Sequence, residues 1–227
     1  MSGTAPTARP SVTLKLATSL DGRIATARGH SKWITGEAAR AEAHKLRAAH
    51  DAVLVGSGTV LADDPELTAR TNPPHAKQPL RIVADSRARV PATARIFTTL
   101  DKGPIAIATL ETQSLDHWPS AQGIQYWMIP KDETTGSLSV SELLESAQRA
   151  GVKSLMIEGG GQLAASFARA GLIDRIEWFR APLLLGGDGL PCIAALGLET
   201  VTNAPTYERV GISEIGVDLW ESYVRKV

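Results

Sequence analysis

The chain has 227 residues, 43% of them hydrophobic and 21% charged, with 24 basic and 24 acidic side chains. That length suits one large domain or two small ones with a sizeable core, and the charge balance excludes the basic excess of a bulk nucleic-acid or membrane-surface binder. A single cysteine, Cys192, excludes an internal disulfide and a cysteine-based zinc site.

No run approaches the roughly 18 apolar residues of a membrane span, and the start carries no apolar signal segment. The expectation is a cytoplasmic protein with a disordered segment over residues 1–11 and one domain over 12–227. Residues 12–17 alternate apolar or β-branched with polar side chains, the period of a strand. Lys15 interrupts them. Either it surfaces at the rim or it needs a partner, because a buried ammonium is costly alone. Residues 18–24 form a turn centred on Asp21-Gly22, and 29–36 form a polar loop holding a lone Trp33. Residues 37–50 are Ala-rich and helical, with Thr35 as N-cap, Glu37 at the positive end, and Ala39, Ala43 and Leu46 as a narrow apolar stripe. Arg47 and His50 suit the negative end of that helix.

The apolar run 52–55 ends in Gly56-Ser57-Gly58 and delivers Thr59, Asp63, Asp64 and, later, Arg70 into a short polar loop stiffened by Pro65. Open α/β sheets place ligands just beyond strand ends. Asp before Pro is also an ordinary turn starter. Residues 71–79 form a loop with three prolines, and 80–85 form another strand, followed by Ser86-Arg87-Ala88-Arg89. That tetrapeptide reads either as a solvated turn or as a phosphate grip. Residues 105–108 and 124–129 are short strands. Ser139 and Glu142 match a capping box opening a helix to Ala150, with Gly151 as its stop.

The strand 154–157 runs into Glu158-Gly159-Gly160-Gly161-Gln162 and then an amphipathic helix ending at Gly171. Side-chain-free residues let the backbone approach a ligand, and a helix N-terminus offers free N–H groups, which together cradle a phosphate. Gly159, Gly161 and Ala164 meet the loose dinucleotide fingerprint. The strand-rich remainder does not continue a βαβαβ half, so the cradle is expected without a Rossmann fold. Residues 174–182 form a strand, 183–189 a glycine-rich tight turn, and 207–212 with 217–224 an antiparallel pair. Cys192 reads as a small buried hydrophobe.

In order along the chain stand Leu14-Lys15-Leu16-Ala17-Thr18-Ser19-Leu20-Asp21-Gly22-Arg23, Ser31-Lys32-Trp33-Ile34-Thr35, Leu46-Arg47-Ala48, the stretch from Thr59 to Arg70, Arg81-Ile82-Val83-Ala84-Asp85-Ser86, Glu158-Gly159-Gly160-Gly161 and Ala181-Pro182-Leu183-Leu184-Leu185-Gly186-Gly187-Asp188. In these motifs the chain resembles the reductase domain of the bacterial bifunctional riboflavin-biosynthesis deaminase-reductase. The resemblance implies an α/β fold like that of dihydrofolate reductase: three layers, a mixed and mostly parallel sheet, antiparallel strands at the C-terminal end. It implies NADPH-dependent reduction of 5-amino-6-(5-phosphoribosylamino)uracil to its ribitylamino product, and a homodimer. By position it places cofactor contacts on Ala17, Trp33, Thr59, Asp63, Ser86, Gly160, Gly161, Gln162, Leu163, Ala164, Ala165 and Ser166. Substrate contacts fall on Ser31, Arg47, Leu67, Arg70 and Glu158, and Lys15 matches a lysine close to the reacting end of the substrate.

The residue types suit that chemistry. Hydride delivery to the first ribose carbon is mainly positioning. Proton transfer at the opened ribosylamine needs an acid-base group, for which Asp63 is the leading candidate, with Lys15 and Glu158 behind it. Arg47 and Arg70 suit the substrate phosphate, and Ser86 with Arg87 suits the 2′-phosphate of NADPH. The family's zinc-deaminase signature needs cysteines this chain lacks, so a stand-alone reductase is expected, with a separate deaminase as a possible pathway partner. Two alternatives remain: a reductase of the undeaminated diaminopyrimidinone or of another pyrimidine or pterin, and a non-catalytic nucleotide-binding protein.

Overall fold

The computed structural model describes residues 9–75 and 77–226. Eleven strands and five α-helices follow in the order β1 (Ser11–Thr18), β2 (Arg23–Ala25), α1 (Glu37–Ala49), β3 (Ala52–Gly56), α2 (Ser57–Asp63), β4 (Leu80–Ala84), α3 (Arg95–Thr98), β5 (Ile105–Leu110), β6 (Ile124–Ile129), α4 (Val140–Arg149), β7 (Ser154–Glu158), α5 (Gly161–Arg169), β8 (Arg175–Arg180), β9 (Leu190–Pro191), β10 (Tyr207–Ile215) and β11 (Asp218–Arg225). Of the expected disordered segment, residues 1–8 lie outside the described residues. Arg9 is described and pairs with Asp174 through two hydrogen bonds of 2.7 and 2.6 Å, and Ser11 opens β1.

Nine strands form one sheet in the order β10-β11-β8-β1-β7-β3-β4-β5-β6. From β8 to β6 all neighbours are parallel, and β11 pairs antiparallel with both β8 and β10. This is the expected mixed sheet with an antiparallel C-terminal end. The apolar runs of β3, β4, β5 and β7 are buried on both faces, as central parallel strands must be. On one face Leu14, Leu54, Ile82 and Leu155 pack against Leu143 and Leu144 of α4 and Phe167 of α5. On the other, Val55, Val83 and Ile107 pack against Val60 of α2 and Ile96 and Phe97 of α3. His50, which follows α1, reaches this second face, where its Nε2 lies 3.0 Å from Thr13 Oγ1.

Three local expectations change. The stretch after Gly58 is not all loop: α2 spans Ser57–Asp63, anchored by the buried Val60, and Asp64 closes it in the left-handed region at φ 42°. The glycines flanking Ser57 suggested a break, but Gly56 adopts ordinary extended backbone and serves as the N-cap. Thr35 does not cap α1. Gly36 takes that position, and its N–H donates to Asp218 Oδ2 at 2.7 Å, so the acceptor comes from β11 across 182 residues of sequence. The turn at residues 18–24 also contains β2, whose partner β9 lies in the loop after β8. Half of the capping box at α4 forms: Ser139 Oγ accepts from the Glu142 N–H at 3.4 Å, while the Ser139 N–H donates to the Pro130 carbonyl at 3.0 Å and not to the Glu142 side chain.

Candidate active site

The carboxyl ends of β3, β4 and β7 open into one cleft of about 650 Å³. This is where an open α/β sheet places its ligands. Ser31, Thr59, Asp63, Ser86, Gly160, Gly161, Gln162, Leu163 and Ser166 all line it. One wall is the glycine run and the N-terminus of α5, whose first N–H groups face no side-chain cap. Gly161 is required by space, and Gly159 and Gly160 by their backbone, at φ 78° and 88°. A Cβ on Gly161 would collide with the Pro191 carbonyl, and one on Gly159, at φ 78°, would sit 3.4 Å from Thr59 Oγ1.

Ser86, Arg87 and Arg89 line the same cleft on a loop braced by the buried Asp85. Asp85 Oδ2 accepts from the Val90 N–H at 2.7 Å, and its carbonyl accepts from the Ala88 N–H at 3.2 Å and Thr109 Oγ1 at 2.8 Å. Arg89 Nη2 donates to Ser57 Oγ at 3.0 Å, tying the loop to the start of α2. Arg87 is exposed.

A second group of charges gathers around α1. Lys15 and Glu158 are Cα partners in the β1–β7 ladder. Arg47 reaches Glu158 with two parallel bonds, Nε to Oε1 at 2.5 Å and Nη2 to Oε2 at 2.7 Å, and gives Nη1 to the Thr68 carbonyl at 3.0 Å. Burial pushes the Glu158 carboxyl up, but the charge and hydrogen bonds of Arg47 and the charge of Lys15 outweigh it and hold the group below its ordinary range. Burial acts on Lys15 in the opposite sense to the Glu158 charge, and with Arg47 nearby its pKa falls below the ordinary lysine value. The Lys15 ammonium also lies 5.7 Å from the centroid of the Phe179 ring. Lys15 is partly buried, with Glu158 as the neighbouring anion but without a direct ion pair to it.

The expected site residues differ in surroundings. Glu158 is held ionised by a bidentate guanidinium, which suits a charge partner and not a proton donor. Arg47 has its donors committed to Glu158 and Thr68, whereas Arg70 is exposed and has no carboxylate partner among the described residues. Asp63 is exposed on the cleft, and Lys15 and Glu158 do not line that cleft. Ala164, Ala165 and Leu67 are buried in the core, so their side chains do not offer themselves to a ligand. Trp33 is 70% exposed, with the Arg40 guanidinium 4.4 Å from its ring centroid. Ala17 lies on the same face of β1 as Lys15, half-buried near the strand's end.

Sequence reasoning missed His44. It precedes Arg47 by three residues, so both share one face of α1, and its Nδ1 accepts the Arg70 backbone N–H at 3.2 Å. Burial first, then the Arg47 and Arg70 charges, push its pKa down to about 4 against the pull of Glu158 and of the Thr68 backbone. The spacing of the two residues was the available signal. The cleft walls from Pro191 and Ala194 and from Thr135 and Ser137 were also missed, and no local pattern marks them.

Comparison with known proteins agrees with this architecture. The family model described as "RibD C-terminal domain" matches residues 10–220. The riboflavin biosynthesis protein RibD of Bacillus amyloliquefaciens is 38% identical over 217 residues, covering 94% of this chain and 57% of that protein. The RibD structure of Acinetobacter baumannii, form 1, superposes with a TM-score of 0.80 at 29% identity, over 97% of this chain and 59% of that one. A Thermotoga maritima diaminohydroxyphosphoribosylaminopyrimidine deaminase/5-amino-6-(5-phosphoribosylamino)uracil reductase gives a TM-score of 0.79 at 27% identity, over 96% and 57%. The chain thus spans less than three fifths of the length of these relatives. On the matched motifs, the sheet order and the cleft at its carboxyl edge, the chain belongs to the RibD C-terminal domain family.

Proposed function

We propose that this domain is an NADPH-dependent reductase of riboflavin biosynthesis that converts the ribosyl group of 5-amino-6-(5-phosphoribosylamino)uracil to ribityl. The observation that carries the reading is the single cleft with a glycine cradle on one wall and Ser86, Arg87 and Arg89 on the other. The residues present fit a dinucleotide phosphate: Gly159 and Gly160 hold positive φ, which turns the chain into α5, and the uncapped helix N-terminus offers N–H groups. Arg87 and Arg89 would hold the 2′-phosphate that separates NADPH from NADH. When bound, the cofactor supplies the hydride.

The chain's own residues do the rest. Ser31 and Asp63 line the cleft and orient what lies in it. Arg70, an unpaired guanidinium, takes the substrate's phosphate. Lys15, whose pKa burial lowers beside Glu158, is the proton donor of this reading, acting on the ribosylamine from beside the cleft and not from its lining. Arg47 keeps Glu158 charged and in place. The exposed Val210 and Ile212 on the outermost strand β10 support a homodimer, and a deaminated substrate implies a deaminase acting earlier.

NADPH consumption by the purified protein, with the deaminated uracil and the undeaminated diaminopyrimidinone offered in parallel, tests the reading. Turnover of the first is expected. Turnover of the second alone would move the enzyme before deamination, and tight NADPH binding without either reaction would refute the substrate assignment.

A further inference from the structure

Three consecutive residues after Leu67 are held by side chains of other segments and not by a strand partner. The Thr68 carbonyl accepts from Arg47 Nη1 at 3.0 Å. Ala69 exchanges two bonds with the Gln78 amide, its N–H donating to Oε1 at 2.8 Å and its carbonyl accepting from Nε2 at 3.0 Å. The Arg70 N–H donates to His44 Nδ1 at 3.2 Å. This segment starts at Leu67, in the left-handed region at φ 56°, and ends in a guanidinium without a carboxylate partner among the described residues. The helix α1 therefore supplies two of the four bonds that fix where Arg70 leaves the backbone, and they come from side chains on one face of that helix.

We propose that His44 is a positioning residue for anion recognition: its neutral imidazole, accepting the Arg70 N–H through Nδ1, sets the Arg70 guanidinium for the phosphate of a sugar phosphate. The inference rests on the reading of Arg70 as the phosphate-holding residue. The position calls for an acceptor, because the donor is a backbone N–H. It also calls for an uncharged group, because Arg47 and Arg70 already place two cations around it and Glu158 offsets only one. Accepting through Nδ1 fixes the tautomer with its proton on Nε2. A lysine or arginine there would repel the guanidinium it has to hold. An aliphatic side chain would leave the Arg70 N–H without its partner and Arg70 free to swing.

Ribose 5-phosphate binding, measured by calorimetry, is the direct probe, with NADPH affinity measured beside it. His44→Leu should weaken ribose 5-phosphate binding about tenfold, the order expected for losing one hydrogen bond and the order it imposes. His44→Asn carries an acceptor near the place of Nδ1 and should recover most of that loss. NADPH affinity should stay within about twofold in both, since His44 does not line the cleft. Long-range nitrogen–proton NMR correlations should show the His44 proton on Nε2. Unchanged ribose 5-phosphate affinity in His44→Leu, failure of the Asn variant to recover it, or a proton on Nδ1 would overturn the proposal. NADPH turnover by the wild type separates the two failures. Turnover intact with a silent His44→Leu variant sinks the His44 role alone; no turnover and no sugar-phosphate binding sinks the Arg70 reading beneath it.

Discussion

Glu158→Gln isolates the charge at the centre of the site with almost no change of shape. The Glu158 side chain is 10% exposed and that of Arg47 14%, and their two bonds of 2.5 and 2.7 Å form a bidentate pair. Removing one partner of a buried pair costs about 3–5 kcal/mol, because the other charge is left without compensation. Glutamine keeps one oxygen to accept from Arg47, which offsets part of this, and Lys15 can shed its proton more readily once the opposite charge is gone. The expected loss is therefore about 2–3 kcal/mol at pH 7, or a melting temperature lower by about 5–10 °C for a domain of this size. The pH dependence has a definite sign. Glu158 sits below its ordinary value of 4.5 in the folded state, so its contribution is complete above that value and is lost as pH falls through the folded pKa. The gap between wild type and variant should be full at neutral pH and should close in acid below about 4.5. Urea denaturation of both proteins from pH 7 down to the acid limit of folding measures it. A variant within about 0.5 kcal/mol of wild type at pH 7, or a gap that widens on acidification, would refute the pair as described.

Lys15→Met should leave NADPH affinity intact and lower turnover by about a hundredfold or more, since a positioned proton donor contributes on that scale. Its stability tells a second story. A lysine whose folded pKa is depressed costs stability while charged, and the cost fades as pH rises from that pKa toward 10.5, so the variant should be at least as stable as wild type at pH 7, with the advantage shrinking in alkali. Gly161→Ala should loosen NADPH binding by displacing the segment around Pro191 and Ala194, whose Ala194 N–H donates to the Gly161 carbonyl at 2.9 Å; an unchanged dissociation constant by fluorescence titration would remove the cradle from the argument. Arg87→Glu should erode the preference for NADPH over NADH by at least about tenfold in kcat/KM, with little change in melting temperature because the side chain is exposed. Equal preference before and after would sink the assignment of the 2′-phosphate.

Periodicity located the central strands because each buries both faces, and a run such as 105–108 has few other uses in a soluble chain. The Ser139 cap and the glycine run before α5 were legible for a local reason: each lies within a few residues of the helix it opens. The family motifs carried the candidate site the same way, as short runs at fixed places. What sequence could not assign was partnership. The acceptor of the Gly36 N–H is Asp218, the ion partner of Arg47 is Glu158, and the acceptor of the Arg70 N–H is His44, at separations of 182, 111 and 26 residues. Those contacts join segments far apart in the chain: α1 with β7, with the residues after α2, and with the start of β11. Packing then decided the chemistry that composition left open, as Arg47 holds Glu158 ionised and burial weakens the hold of Lys15 on its proton, while Asp63 stayed exposed on the cleft. Residue type is local and can be read along the chain; the dielectric and the charges around a side chain are set only when distant segments pack.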